Sequence, residues 1–568
     1  PGFTGGGIYP VFFLLTIALI ILALVKYYGG YDNVLDWILV TNTSPSPVSF
    51  DDFNIGLFRF EIPADNYLVW QAFMPTDIAV DYRYFFGFLV ALGIGLSAFQ
   101  AAYSRMSRYP FVLCSLLFIV LYHQMHLEEV VLFGQKGRLY VFVLVGVHLA
   151  TAFAFHAWLK TASSSMRFLA FLVIHAISAW VIHEFATLPN PFLIIVPYAF
   201  LAGVILSLAF VVIVSQEVIF GILLLTTRSV IAGKSNGKHF LILGGIYLVN
   251  LLLLAMRNAY IIPTDLAIIN EVWILIISTV IAFFTIHHKQ VLFPSYPFSP
   301  FGHLLVGGLA IVCFSLLTFQ FANVNTPAID AFENLISYIH LGFGFMFYAY
   351  VTLNFLGALY HSVPVYKIVY KELNFPYVTS LLGGLAFFAG FFFYTDKIAY
   401  YQVLSGHYNL HGDVQQVMGN YELAESYYKG GGFYGGSNHK SYYHLATLAK
   451  YENRDEDTEY FLSKAVRYKP SEHAYIMMAD FYKQQNDCFK GICTLQEGLR
   501  KFPESEFLRN NLAMQYARTN ILDSALYYFD AGYYADEWAD VSNTNNWYIF
   551  AKSNLEFSAD TVNQLVAE

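Results

Sequence analysis

The sequence predicts an all-α polytopic membrane protein of about eleven transmembrane helices, with a small β element in its first long loop and a C-terminal α-solenoid. Three observations carry this. First, 57% of the 568 residues are hydrophobic and only 12% are charged, against roughly 25% charged in soluble domains. Second, apolar runs long enough to cross a bilayer, about 20 residues each, recur along the first 400 positions. Third, from about residue 399 the chain turns Tyr-rich and polar, with a period near 34.

The division is therefore a first span at 1–26, a long loop at 27–83, spans two to eleven at 84–398, and a helical domain at 399–568. A net charge of −9 gives no basis for nucleic-acid binding, and four cysteines imply no disulfide framework. Because the first residue is Pro1, the native N-terminus is expected to precede it.

The eleven runs are Pro10–Lys26, Tyr84–Tyr103, Pro110–Val130, Leu139–Leu159, Phe168–Phe185, Phe192–Ser215, Phe240–Met256, Leu266–Ile286, His303–Phe321, Leu335–Tyr360 and about Tyr377–Tyr401. Short cytoplasmic loops are enriched in Lys and Arg. Arg105, Arg108, Lys160, Arg167, Arg228, Lys234, Lys238, Lys289, Lys367 and Lys371 all fall on one side of this scheme. Asp51, Asp52, Asp65, Asp77, Asp265, Asp330 and Glu333 fall on the other, with Lys136 and Arg138 as the exception. The expectation is a multi-pass inner membrane protein, N-terminus cytoplasmic and C-terminal domain extracytoplasmic. The segment Gln216–Ile231 carries Glu217 and Arg228 and is read as an interfacial helix on the cytoplasmic face.

In the 27–83 loop, Phe53, Ile55 and Leu57, then Phe58, Phe60 and Ile62, alternate with polar or small residues. A turn cluster at 63–66 and a second β-rich run at 67–73 complete a hairpin signal.

In the C-terminal domain Ala446, Ala479 and Ala513 recur at that period, and Pro470 and Pro503 close two of the units. A looser copy holds Gly419, Ala424 and Tyr428. Small residues let paired helices approach, and Pro stops the second helix. Over 412–537 this resembles the tetratricopeptide repeat. The resemblance implies a concave face that binds other envelope proteins, with Tyr482, Tyr516 and Phe529 as candidate partner-binding residues. Cys488 and Cys493, five apart on one helix, are expected to form no disulfide.

Ionisable residues within spans are functional candidates. His123, His126, Glu129 and His183 are the candidates for a metal, His123 and His126 sharing a helix face. His148 and His175 are the candidates for a facing haem pair. His- and Tyr-rich helix ends also suit membrane interfaces, and no HExxH, CxxCH or cysteine cluster occurs. No cofactor is therefore expected, and membrane lipids are the expected small-molecule neighbours.

The overall plan, with its long first outer loop and outer repeats, is similar to membrane glycosyltransferases of the GT-C class. That resemblance implies a lipid-linked donor and an acidic pair in the first outer loop, matched by Asp51 and Asp52. One carboxylate would act as base on the acceptor or position a metal. The leading expectation is a scaffold or assembly subunit of a cell-envelope complex, the transferase is the alternative, and a redox subunit is a minor third.

Overall fold

The computed structural model describes residues 9–33, 37–45, 47–75, 80–134, 137–228, 237–262, 266–293, 301–361, 363–370, 375–436, 438–468, 470–530 and 536–553. Asp77, Lys136, Lys234, Asp265 and Lys371 lie outside these residues. The chain forms two compact units, one of residues 1–33 and 80–418, the other of residues 34–79 and 419–568.

Unit 1 opens with α1 (Tyr9–Gly29). It resumes with α2 (Tyr82–Tyr103), α3 (Arg108–Gln124), α4 (Leu139–Ala157), α5 (Ser164–Phe185) and α6 (Pro191–Val214). Then come α7 (Glu217–Arg228), α8 (Gly237–Asn258), α9 (Glu271–Leu292), α10 (Gly302–Ala322) and α11 (Thr326–Tyr360). It closes with α12 (Phe375–Tyr394) and α13 (Ile398–Val417). Among the described residues, 11 helical stretches are long and apolar enough to cross a membrane, α6 and α7 forming one such stretch. The protein is thus a multi-pass membrane protein.

Helix α10 is the hub, since every residue from Leu304 to Ala322 is buried. Lipid tails are as apolar as Leu, so packing among spans relies on close approach rather than on water exclusion. Gly307 and Gly308 supply it. A Cβ on Gly307 would stand 2.5 Å from the Phe12 ring of α1, and one on Gly308 would stand 2.3 Å from Ala98 of α2. Polar caps start several helices: Asp81, Ser163 and Asn270 accept the N–H groups of Arg83, Met166 and Trp273. Arg167, expected only as a loop charge, is buried and donates to the Ser104, Leu159, Lys160 and Ala162 carbonyls at 2.9–3.2 Å. It gathers the ends of α2 and α4.

Helix α7, with 12 residues, is too short to span alone, and one face of it packs into the protein. Ile219, Phe220 and Leu223 are fully buried among Phe240, Phe293, Phe347 and Tyr370. Glu217 is 2% exposed and forms an ion pair at 2.6 Å with the equally buried Lys289. Thr285 donates to the second Glu217 oxygen at 2.5 Å, and the Lys289 ammonium lies over the Phe220 ring. The sequence did not announce this pair because Glu217 meets its partner only on α9, far along the chain.

Unit 2 begins with β1 (Trp37–Pro45), β2 (Val48–Ile55), β3 (Phe58–Ala64) and β4 (Tyr67–Pro75). Two antiparallel ribbons form, β2 with β3 and β1 with β4. The turn between β2 and β3 is Gly56-Leu57, not the 63–66 cluster, because Gly56 takes the φ of +63° that a tight turn there requires.

The helices of unit 2 are α14 (Tyr421–Tyr434), α15 (His439–Tyr451), α16 (Asp455–Tyr468), α17 (Glu472–Gln484), α18 (Cys488–Lys501), α19 (Glu506–Arg518), α20 (Leu522–Tyr528) and α21 (Asp536–Ser553). From α14 to α21 each packs on the next. Their turns repeat in conformation as well as in spacing. Gly419, Asn453, Asn486 and Asn520 all adopt positive φ, one in each successive repeat. Asn438, Ser471 and Ser505 each cap the helix that follows, at the same interval. Cys488 and Cys493 share the unbroken α18 and are free thiols.

Candidate functional site

Unit 2 grips one of its own strands. β4 packs against α17, α19 and α21. Leu68 enters a core with Ala513, Met514, Ala517, Ala525, Phe529, Tyr548 and Ile549. The Lys483 ammonium stands 3.0 Å from the centroid of the Trp70 ring, a cation–π contact. Burial holds the Lys483 pKa below the usual lysine value, and Asp480, 3.4 Å away, opposes that shift.

Between these side chains the backbone of Val69 is read directly. Its N–H donates to Asn545 Oδ1 at 2.7 Å, and its carbonyl accepts from Asn545 Nδ2 at 2.7 Å and Asn510 Nδ2 at 3.3 Å. Asn510 in turn accepts from Asn545 at 2.9 Å. A primary amide offers one acceptor and two donors in one plane, which is the complement of an extended residue's outward edge. Helices α17 and α19 are equivalent members of successive repeats, and the face they share is thus filled from within the chain.

The other ribbon presents the opposite character. Leu57 is fully exposed, and Phe58 and Ile55 are 71% and 61% exposed. Phe53, Phe60 and Ile62 also reach solvent, and the Phe53 and Phe60 rings stack at 5.5 Å. Among the described residues, α21 flanks β2, whereas β3 packs substantially on no element but β2. An unpaired edge of this kind is a ready template for a further strand.

No protein-family model matches this chain, and no curated protein matches its sequence. Its functional chemistry therefore rests on the side chains themselves.

Asp52 lies on β2, exposed, in an ion pair with Arg59. Asp51 pairs through its backbone with Ile62. The carboxylate of Asp52 is thus already neutralised on an open ribbon. Of the candidate partner-binding residues, Phe529 is fully buried and Tyr482 is 6% exposed. The Tyr482 hydroxyl donates to Glu459 at 2.9 Å, and burial with that carboxylate raises its pKa. Tyr516 is half-buried, stacks on Tyr528 at 5.7 Å and accepts from Gln496 at 2.6 Å. All three hold helices together, and Tyr482 and Phe529 are closed to an incoming protein.

The histidines separate into two groups. α3 ends at Gln124 and His126 follows it with φ +44°, so His123 and His126 do not share one helix, although their rings stay 5.7 Å apart. His126 lies 3.3 Å from Glu128 and its ring meets Tyr198 of α6. Tyr198 in turn meets His411 of α13, whose neighbour His407 hydrogen-bonds the Pro197 carbonyl at 2.9 Å. His183 is exposed, and among the described residues no three His, Cys, Asp or Glu side chains converge as a metal site.

His148 and His175 do face each other, with ring centroids 4.4 Å apart. That gap leaves no room for a porphyrin between them. Gln100 and Tyr122 occupy the two His148 nitrogens, and Ser97 and the Phe171 carbonyl meet His175 Nδ1. The pair ties α2 through α5 together.

Two ion pairs inside unit 1 were not legible as pairs. One is Glu217–Lys289. The other is Arg257–Glu271 at 2.8 Å, joined by Asn258, which reaches both Glu271 and Ser337. Their only sequence signal was an intramembrane charge in each of two apolar runs.

Proposed function

We propose that this protein is a membrane-anchored scaffold of a cell-envelope complex and that its docking element is the β2–β3 ribbon. The observation that carries this reading is the exposed apolar set Phe53, Ile55, Leu57, Phe58, Phe60 and Ile62 on a ribbon whose β3 edge has no further strand beside it among the described residues. Isolated exposed apolar residues are ordinary, but a contiguous set marks an interaction surface. The occupant it suits is an extended segment of another envelope protein, added alongside β3 with its side chains against Phe58, Phe60 and Ile62.

The helices α14–α21 supply the rigid support. Their repeated caps and positive-φ turns favour reading them as a tetratricopeptide-like solenoid, and the distribution of Lys and Arg among the loops favours the extracytoplasmic side of an inner membrane. In this reading the solenoid displays the ribbon, rather than taking a partner at Tyr482 and Phe529.

The test is quantitative crosslinking of the native protein in mild detergent, compared with a Leu57→Ser, Phe58→Ser, Phe60→Ser variant. The expected outcome is loss of crosslinks mapped to residues 48–64 together with the partner at fixed stoichiometry, with unit 2 still folded. An unchanged partner set in the variant would sink the reading.

A further inference from the structure

We infer that a groove between α1 and α2 is a binding site for a phosphate-headed membrane lipid. This goes beyond the scaffold reading and rests only on unit 1.

The groove follows from how three helices meet. α1 and α2 both close on α10 at Gly307 and Gly308, through Phe12 and Ala98. Away from that point they diverge, each still packing on α10 but not substantially on each other. The space left has a volume of about 350 Å³, within the roughly 300–1,000 Å³ of small-molecule sites. Leu15, Leu19 and Leu22 form one wall, Gly87, Val90, Ala91 and Ile94 the other, and Ile311, Ser315 and Thr318 the floor. From Ile311 to Thr318 the floor rises about 10 Å. The Thr318 hydroxyl is consumed by the Phe314 carbonyl at 2.7 Å, so the floor turns little polarity toward the groove.

One end differs in chemistry. Arg83 and Tyr84 line the groove where α2 begins. Lys26, at the end of α1, holds its ammonium 5.3 Å from the Tyr84 ring centroid. Arg83 is 84% exposed and is forked against Asp81, at 2.6 Å for its shortest contact. With the Lys26 ammonium donating to Asn33 Oδ1 at 3.1 Å, two cations and one carboxylate, a net charge of +1, stand at the mouth of an apolar channel that lies within membrane-spanning helices. The matching ligand has an apolar chain of at least the groove's length and an anionic phosphate at its end. Guanidinium and ammonium groups both suit phosphate, the former in a planar fork. Diacyl phosphatidic acid and a polyprenyl phosphate share this chemistry.

The test is native mass spectrometry of the full-length protein in detergent, titrated separately with phosphatidic acid, with a polyprenyl phosphate, and with diacylglycerol, which lacks the phosphate. The expected result is one retained lipid per chain, held at least tenfold more tightly with phosphate than without. The better binder of the two phosphates identifies the source. Lys26→Gln with Arg83→Gln removes the phosphate preference.

Gly87→Trp fills the groove and abolishes the retained lipid, because a Cβ at Gly87 meets nothing within 4 Å and the new ring has only the groove to occupy. Leu22→Trp does the same from the other wall. Gly93→Trp, also open at its Cβ but not lining the groove, keeps the lipid. Equal retention of all three lipids, or retention undiminished by the charge and groove-filling variants, shows annular lipid only and overturns the proposal. If a Trp variant fails to fold, the exposed Arg83→Gln change decides on its own.

Discussion

Asn545 holds both backbone groups of Val69 with one side chain, accepting its N–H and donating to its carbonyl at 2.7 Å each. The outer edge of β4 is therefore finished by an amide on α21 rather than by another strand. Replacing Asn545 by Ala leaves two buried backbone groups without this partner, a penalty of about 1–3 kcal/mol. The expected readout is faster proteolysis at 67–75 and lower thermal stability of unit 2. Asn545→Asp, which sets a carboxylate oxygen against the Val69 carbonyl at a buried position, should be at least as damaging. Equal stability of all three proteins would show that the contact is idle.

The Glu217–Lys289 pair makes an opposite kind of prediction, because its members depend on each other. Removing one partner strands a buried charge, at about 3–5 kcal/mol, whereas replacing both with apolar groups of similar volume is often nearly neutral. Lys289→Met or Glu217→Leu alone should lower the thermal midpoint in detergent sharply. The double variant should recover most of the loss. Additive losses would refute the coupling.

Packing at α10 predicts a steep dependence on size. Gly308→Val places carbon atoms where Ala98 already stands, and overpacking of this kind costs about 1–3 kcal/mol or more. Gly93→Val, on the same α2 that contacts α10 but with open space around it, serves as the comparison and should be far milder. A thermal shift series in detergent ranks them.

Acid should loosen α13. Burial depresses the His407 pKa to about 4, opposed by its bond to the Pro197 carbonyl and helped by nearby His126. Burial, then His407 and His126, takes His411 to about 3. Between pH 6.5 and 4 the unfolded chain binds protons that folded α13 does not, so stability rises with pH and is lost on acidification. Thermal midpoints from pH 7.5 to 4.5 should fall more steeply for the native protein than for His407→Gln/His411→Gln. Parallel curves would remove these two histidines as the cause.

The spans were legible because each is a continuous apolar run of the length a bilayer demands, a property of neighbouring positions. The repeats were legible for the same reason, as small residues and Pro recur at fixed short intervals. What escaped was everything decided by distant chain. Glu217 and Lys289 read as separate charges because they lie on different helices, remote in sequence. Phe529 read as part of a binding face because nothing near it announces Leu68 of β4, which lies close to the other end of the chain, and Tyr482 because its partner Glu459 sits on the neighbouring helix α16. The hairpin turn was misplaced because 63–66 holds stronger turn residues than Gly56-Leu57, and only Gly56 meets the positive φ. His126 left its expected face because α3 stops at Gln124, before reaching it.

Unit 2 is assembled from two stretches of chain, 34–79 and 419–568, with nearly all the membrane helices encoded between Ala79 and Gly419. At a synthesis rate of about 5–20 residues per second, β4 leaves the ribosome roughly 25–95 s before its clasp at Asn545 exists. The residues that cover Leu68 and Trp70, from Lys483 to Ile549, are thus made only after every membrane-length helix has been translated. A product truncated after α12 would lack every helix that covers these two side chains.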